Sequence, residues 1–528
     1  MKNNIMGLSL LLLGLTGSVT SCSDELDIEQ KGNMSPEAEF YKIDDDAEQA
    51  IAACYKQYGD SYARIVQVGD IMSDDVWCSG NSRNDNPFFE ALGSFSHAST
   101  NSIVLELFKN IYKLIYDSNL VLEKFEEYDT DVKKRAQAEA YFFRGMGHFY
   151  SGVFFGTAPI VDHLLDSGEY NQPNSTKKDL YQQAIEDLSK AVSGLQPKSA
   201  MGANNVRITK EAASALLGKV YLFRGDETDN VDGDYAKAVE ALKVCAESGS
   251  YRLYDGNFGD LGHGMCDYND EYVLEVNRTL DPSNLWALYD ESYVYYGWRQ
   301  QLIDASEQKD DYADLCAGWG FFDPTSSIYE AFVQEEGVNG YRLNQSIITT
   351  EQMYDRLGLK PISGLVIHGN EGYWTWKRRG CKEDYQLLLG LTHANFVYMR
   401  LAEVYLLLAE AAIKTGDTDT ATLYLNKVRS RAKLASKVAT LDAIKLESRL
   451  ELFQEGQRWP NLVRWGDAAT VLKDHGKVMM GYDVDSGKAI VEYEDASSPG
   501  FVAGKHEVLP LPDRAVTLND NLIQNQGY

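Results

Sequence analysis

A helix–turn–helix pattern that occurs twice, far apart in the chain, is the strongest constraint on how this sequence can fold. Leu180–Val192 is followed by Thr209–Arg224 and then by Gly233-Asp-Tyr-Ala-Lys-Ala-Val-Glu-Ala-Leu. Much later, Arg400–Lys414 runs through Thr-Gly-Asp into Thr420–Ala432. In both blocks apolar residues recur every three or four positions, and Ala stands where neighbouring helices would touch. Such pairs cannot bury their apolar faces alone and stack on one another, as tetratricopeptide repeats do. Asp46–Tyr58, Ile103–Tyr128 and Val132–Phe155 carry the same periodicity. The expected fold is therefore mainly α: a tetratricopeptide-like helix-pair scaffold, with the two blocks spread through the chain rather than in tandem.

Between residues of about 251 and 395 the pattern changes to Gly, Asp, Asn and aromatics, with frequent turns and one short strand at Glu271–Asn277. The chain thus divides into a helical part at about 40–250, an irregular segment containing short strands at about 251–395, and a helical and C-terminal part at about 396–528. A second irregular stretch spans Gly69–Ser102, and the tail beyond Val478 reads as non-helical. Long irregular segments held by a rigid scaffold are where binding loops concentrate.

The first residues, MKNNIMGLSLLLLGLTGSVTSC, place one Lys before an apolar run of about 11 residues, too short to span a bilayer. Residues 1–21 read as an export signal. Val19-Thr20-Ser21-Cys22 looks like a bacterial lipobox, with Cys22 the lipidated residue and acyl chains supplying membrane attachment. The acidic Ser-Asp-Glu-Leu-Asp that follows fits either a surface-export signal or a plain solvated linker.

Fifty basic residues against 79 acidic ones give a net charge of −29, a field that disfavours nucleic acid as a partner. Known catalytic patterns are missing: there is no His-Glu-x-x-His and no Gly-x-Ser-x-Gly. Gly481–Ala489 has the wrong spacing for a phosphate loop. Beyond Cys22 six Cys remain, none in a Cys-x-x-Cys pair, and with eight His no zinc-type spacing exists. Cys54 and Cys245 fall in helical patterns and read as core. The run Asp226–Asp234 has five carboxylates in nine residues but fails the EF-hand register, so an irregular Ca²⁺ site is a minor alternative to a solvated inter-helix loop. No cofactor is implied, and the expectation is a protein that is not an enzyme.

Four segments together resemble one family. Ala136–Val161 ends in Gly-Thr-Ala-Pro; Tyr398–Ala432 is a repeat-helix pair; Glu447–Asp467 carries Arg458-Trp459 and Arg464-Trp465 with Asn461 in the usual Asp position; His506–Tyr528 closes on Asn-Gln-Gly-Tyr, with Gln526 replacing a Pro. In this order behind a lipobox they are similar to the SusD/RagB outer-membrane nutrient-binding lipoproteins. The resemblance spans residues 22–528 as one SusD-like domain. It implies a lipid-anchored, outer-membrane, surface-facing protein that captures oligosaccharides and delivers them to a SusC-like TonB-dependent barrel. A RagB-like role in peptide capture and a surface glycoside hydrolase are the alternatives. The paired Arg-Trp motifs read as structural, stacking or pairing with acids of their own helix, and the terminal residues should tuck against the body.

Ligand contacts are expected on the irregular segments, because flat aromatic faces suit pyranose rings and Asn or Arg suits hydroxyl groups. Trp77, Asn81 and Arg83 sit in one Gly/Ser/Asn-rich loop. The stretch LWALYDESYVYYGWRQ offers Tyr289, and, if its later part is a strand, Tyr296 and Trp298 on one face with Tyr293 and Tyr295 packed inward on the other. Trp319, in Gly-Trp-Gly-Phe-Phe-Asp-Pro, is a further candidate or else an anchor for a helix at Ser327–Phe332.

Overall fold

The computed structural model describes residues 40–125, 127–202, 206–278, 291–309, 318–381, 384, 392–495 and 498–528, with the backbone alone at 291–293. The expected helices form, each longer or better bounded than periodicity alone indicates: Asp44–Ile71, Ser102–Lys124, Asp131–Phe155, Lys177–Gly194, Lys210–Glu227 and Asp234–Ala246. Their starts are set by side-chain caps that satisfy otherwise orphaned N–H groups. Thr130 accepts from Lys133 N, Thr209 from Ala212 N, and Thr176 forms a reciprocal capping box with Asp179.

From Ser102 to Ala246 each helix packs on the next in sequence. The helix Asp234–Ala246 then packs on Leu401–Lys414, which packs on Thr418–Arg431 and Leu441–Glu451. The two repeat blocks are therefore neighbours in one helical stack, not separate scaffold elements. The described residues between 247 and 400 form an excursion from a single seam in that stack. Small residues permit the close approach: a Cβ at Gly218 would lie 2.5 Å from Leu242 Cγ, so that helix pair could not close on a larger side chain.

The excursion is built of short antiparallel pairings. Among the described residues, Tyr272–Val276 pairs with Phe396–Arg400, Val76–Cys78 with Phe322–Pro324, and Ile347–Thr349 with Tyr373–Thr375. The tail is not free of helix: after the hairpin Val478–Asp483 and Lys488–Glu494, Asp513–Leu518 forms a short one behind Pro512. Gly481–Ala489 is the turn of that hairpin and its flanks. The C-terminus does tuck in, with Tyr528 hydroxyl 2.9 Å from His97 Nε2 and Asn525 Nδ2 donating to the carbonyls of Phe155 and Leu509.

Buried ion pairs join excursion and stack. Arg400 reaches Glu271, Glu451 and Glu455, while Arg342 reaches Glu336, Glu447 and Glu451. Arg464 pairs with Glu410 and Asp226, and Arg458 with Asp74; these acids come from other elements, not from the arginines' own helix as expected. The acidic run is not simply solvated either. Asp234 is fully buried against Arg224, and Asp226 meets Lys414 and Arg464, so protein cations already occupy its two most constrained carboxylates. Cys54 and Cys245 are core residues. No described helix is long and apolar enough to cross a membrane.

Candidate functional site

The loop between Val76–Cys78 and the helix Pro87–Gly93 meets the segment after residue 317 at the protein surface. The meeting is organised by backbone. Gly318 N, Trp319 N, Gly320 N and Phe321 N donate to the carbonyls of Trp298, Val294, Gly297 and Tyr295 at 2.6–2.8 Å. A Cβ on Gly318 would stand 2.1 Å from Gly297 O, so only glycine lets the two segments pass so closely. Trp319 is thereby fixed half-exposed, with Tyr295 edge-on to it at 5.0 Å between ring centres.

Polar groups tie the Trp319 backbone to the neighbouring loop. Arg299 Nε donates to Trp319 O at 2.9 Å, and the same guanidinium meets Asp85 Oδ2 at 2.5 Å. Asp85 Oδ2 also accepts from Asn81 N at 2.9 Å, which leaves the Asn81 side chain exposed beside it. Arg83 lies over the ring of Tyr493, 4.3 Å from its centre, and 3.5 Å from Glu90, with its side chain 52% exposed. Tyr493 donates to Glu90 Oε1, and burial raises its hydroxyl pKa, so the phenol stays protonated. Phe88 is exposed at the start of the neighbouring helix. Trp319, Asn81 and Arg83 therefore share one polar and aromatic surface. Arg299, Asp85 and Tyr493 belong to it as well; no local periodicity marks them, since their roles depend on distant segments meeting.

Trp77 sits apart from this cluster in its contacts. Its Nε1 donates to Glu371 Oε2 at 2.8 Å, and its ring stacks on His475 at 5.2 Å. Burial lowers the His475 pKa, so Trp77 rests on a neutral imidazole. It is half-buried, with its polar edge already used by the protein.

Tyr296 and Trp298 correct the sequence expectation. Residues 291–296 are a helix, not a strand, so the two-face alternation does not apply. Tyr296 is 2% exposed, stacks on Phe322 at 4.6 Å and donates its hydroxyl to Asp70 Oδ2 at 2.5 Å. Trp298 is 1% exposed, donates Nε1 to Thr375 O at 2.9 Å, and anchors a second core with Trp374, Trp376 and Met353. Neither can offer a face to a ligand in this structure. Tyr295 is buried as expected, whereas Tyr289 and Cys22, and the Tyr293 side chain, lie outside the described residues.

Since burial pushes the Asp70 carboxyl up to about 7 while Tyr296 and Gly456 N hold it down, Tyr296 is a structural donor. Tyr296→Phe should cost about 1–3 kcal/mol by leaving that carboxyl short of a partner. Chemical denaturation reads the loss, and ligand binding by the folded variant should be unchanged.

A separate cleft of about 220 Å³ opens by Tyr251, Tyr268, Asn269, Glu275 and Asn277. Lys198 lies over Tyr251 at 4.2 Å there, and Tyr268 adopts a left-handed φ of 60°. Its described lining residues offer hydrogen-bonding groups but no tryptophan.

With the fold and this surface described, comparison with known proteins is direct. A family model described as "SusD family" matches residues 284–528, and one described as "Starch-binding associating with outer membrane" matches 26–222. A "SusD-like protein" of Bacteroides ovatus is 25% identical, over 97% of this chain and 96% of its own length. The "Starch-binding protein SusD" of Bacteroides thetaiotaomicron is 24% identical, over 78% of this chain and 76% of its own. Among solved structures, a "Laminarin binding SusD-like protein" superposes with a TM-score of 0.75 at 25% identity, covering 92% of this chain and 100% of that one. The helical stack with its single large excursion and the ordered sequence motifs agree with these matches, and the chain belongs to the SusD/RagB family.

Proposed function

We propose that this protein is a surface glycan-binding lipoprotein that captures oligosaccharides and passes them to a SusC-like TonB-dependent barrel, held at the outer membrane by lipid on Cys22 and performing no catalytic step. The observation that carries the reading is Trp319, braced edge-on by Tyr295 and left half-exposed on the segment that Arg299 ties, through the Trp319 carbonyl and Asp85, to the Asn81 loop. A flat apolar face rimmed by donors and acceptors suits a pyranose ring, whose faces are apolar and whose edge is hydroxylated. Family membership supports it: relatives carry names such as starch-binding and laminarin-binding, and one matching family model is described as associating with the outer membrane. Asn81 and Arg83 would bond hydroxyl groups, and Trp77 would serve as a backing residue. Affinity for each ring is modest, so capture depends on contacting several at once.

The test is affinity electrophoresis against a panel of soluble α- and β-glucans. The wild type should be retarded by at least one polysaccharide. Trp319→Ala should weaken that binding about tenfold, the equivalent of about 1.4 kcal/mol, and Tyr268→Ala in the separate cleft should not. The reverse result moves the site to the cleft, and new reducing ends on incubation with the bound glycan would overturn the non-catalytic reading.

A further inference from the structure

We propose that His263, Cys381 and Asp384 form a binding site for a divalent transition-metal ion of the zinc type. None of the three belongs to the Trp319 surface described above. His263 precedes the short turn Gly264–Cys266, whose surroundings are the small core of Phe258, Leu261, Cys266 and Tyr272. Asp384 N donates to Cys381 O at 3.0 Å, which holds these two residues close together. One donor atom from each of the three residues lies within 4.8 Å of the others.

The site is built rather than incidental. His263 and Asp384 side chains are each 1% exposed, and Cys381 is half-buried. Asp384 Oδ2 is 2.7 Å from His263 Nδ1, and its Oδ1 accepts from Gly264 N at 2.8 Å, which fixes carboxylate and ring together. His263 Nε2 is buried with no hydrogen-bond partner among the described residues. On uptake the ring proton would pass to Nε2, leaving Nδ1, which faces Asp384, as the nitrogen that takes the ion.

The donor set selects the ion. One thiolate, one imidazole and one carboxylate match zinc and its neighbours, whereas Ca²⁺ and Mg²⁺ prefer all-oxygen shells. Three protein ligands leave a fourth tetrahedral position for water. Seating the ion between His263 and Asp384 opens their contact from a hydrogen bond to roughly 3.3 Å, the ligand–ligand spacing that zinc bond lengths near 2.0 Å require. The Cys381 thiol loses its proton to solvent as the Sγ–metal bond forms, and no electron is transferred. Uptake therefore releases a proton and weakens as pH falls. Sequence spacing could not reveal this site, because the histidine lies on a different loop from the Cys-x-x-Asp pair. The bound ion would pin the loop carrying His263 to the turn of Cys381–Asp384 inside the excursion.

The test uses the full folded chain, stripped with chelator and then dialysed against Zn²⁺ or Co²⁺. Metal analysis should find about one tightly held zinc per chain, and the cobalt form should show a thiolate-to-metal charge-transfer band. Cys381→Ser should abolish the band, and His263→Gln should lower the retained metal at least tenfold, while Cys266→Ser keeps both. In the unmutated protein, zinc should slow alkylation of Cys381 by iodoacetamide, located by peptide mass analysis, which keeps the test independent of how the variants fold. Stoichiometric metal without a thiolate band, equal retention by Cys381→Ser, or alkylation of Cys381 unaffected by zinc would each overturn the proposal.

Discussion

Replacing Arg400 with Met should destabilise the protein by about 3–5 kcal/mol, because it removes from a buried ion network the one cation that three carboxylates share and leaves each of them short of a donor. Arg400 is 2% exposed and lies 2.9 Å from Glu271 and 2.8 Å from Glu455, with Glu451 in contact. Methionine fills much of the volume but supplies no donor. Burial by itself opposes ionisation of Glu455, yet Arg400 and Lys377 outweigh it and hold the carboxyl at about 2. A carboxyl held below its unfolded value adds stability that is present above that value, near 4.5, and lost as pH falls toward 2. The Arg400→Met deficit should therefore be large at neutral pH and should shrink in acid, where the wild type also loses the contribution. Denaturation midpoints at the two pH values measure it; a neutral-pH loss under about 1 kcal/mol would place this arginine among the weak surface pairs instead.

Asp323 should behave in the opposite sense. It is buried, pairs across strands with Trp77, and accepts from Asn370 Nδ2 at 2.8 Å without a cation beside it among its described contacts. Burial pushes its carboxyl from 3.8 up to about 7, against the smaller lowering effect of Asn370 and Ser79. A raised carboxyl keeps its proton in the folded state, so its contribution is fully present below about 4 and is lost as pH rises through 7. Asp323→Asn removes that dependence. The stability gap between variant and wild type should widen in the variant's favour by roughly 2–3 kcal/mol from pH 5 to pH 8. Asp70, Glu139 and Asp267 are also raised to about 7, mainly by burial, so the wild type has further downward slope in the same window. The difference between the two proteins isolates Asp323. A gap that stays constant with pH would mean that its carboxyl ionises normally.

Helical periodicity made the scaffold helices legible, although the expected Asp46–Tyr58 covers only about the first half of the observed Asp44–Ile71. The expected helix Val132–Phe155 differs from the observed Asp131–Phe155 by one position, and Glu271–Asn277 contains the strand Tyr272–Val276. Local rules sufficed there because caps and apolar spacing act within one turn or one strand. The adjacency of Asp234–Ala246 and Leu401–Lys414 was not legible, since no local pattern reports which helices meet after an excursion of more than a hundred residues. The aromatic stretch was misread for a related reason. Tyr296 and Trp298 look like a ligand platform by composition, but Asp70 and the Thr375 carbonyl, both from distant segments, satisfy their polar edges inside the core. Trp319, by contrast, lies between two glycines whose backbone pairing leaves its ring at the surface.

A crystal structure of the protein with an oligosaccharide that retards it in the gel shows directly where sugar lies. A pyranose ring should lie parallel to the Trp319 indole at about 4 Å, with hydroxyl groups reaching Asn81, Arg83 or Arg299. A sugar bound in the cleft by Tyr251 and Tyr268, with Trp319 bare, would contradict it.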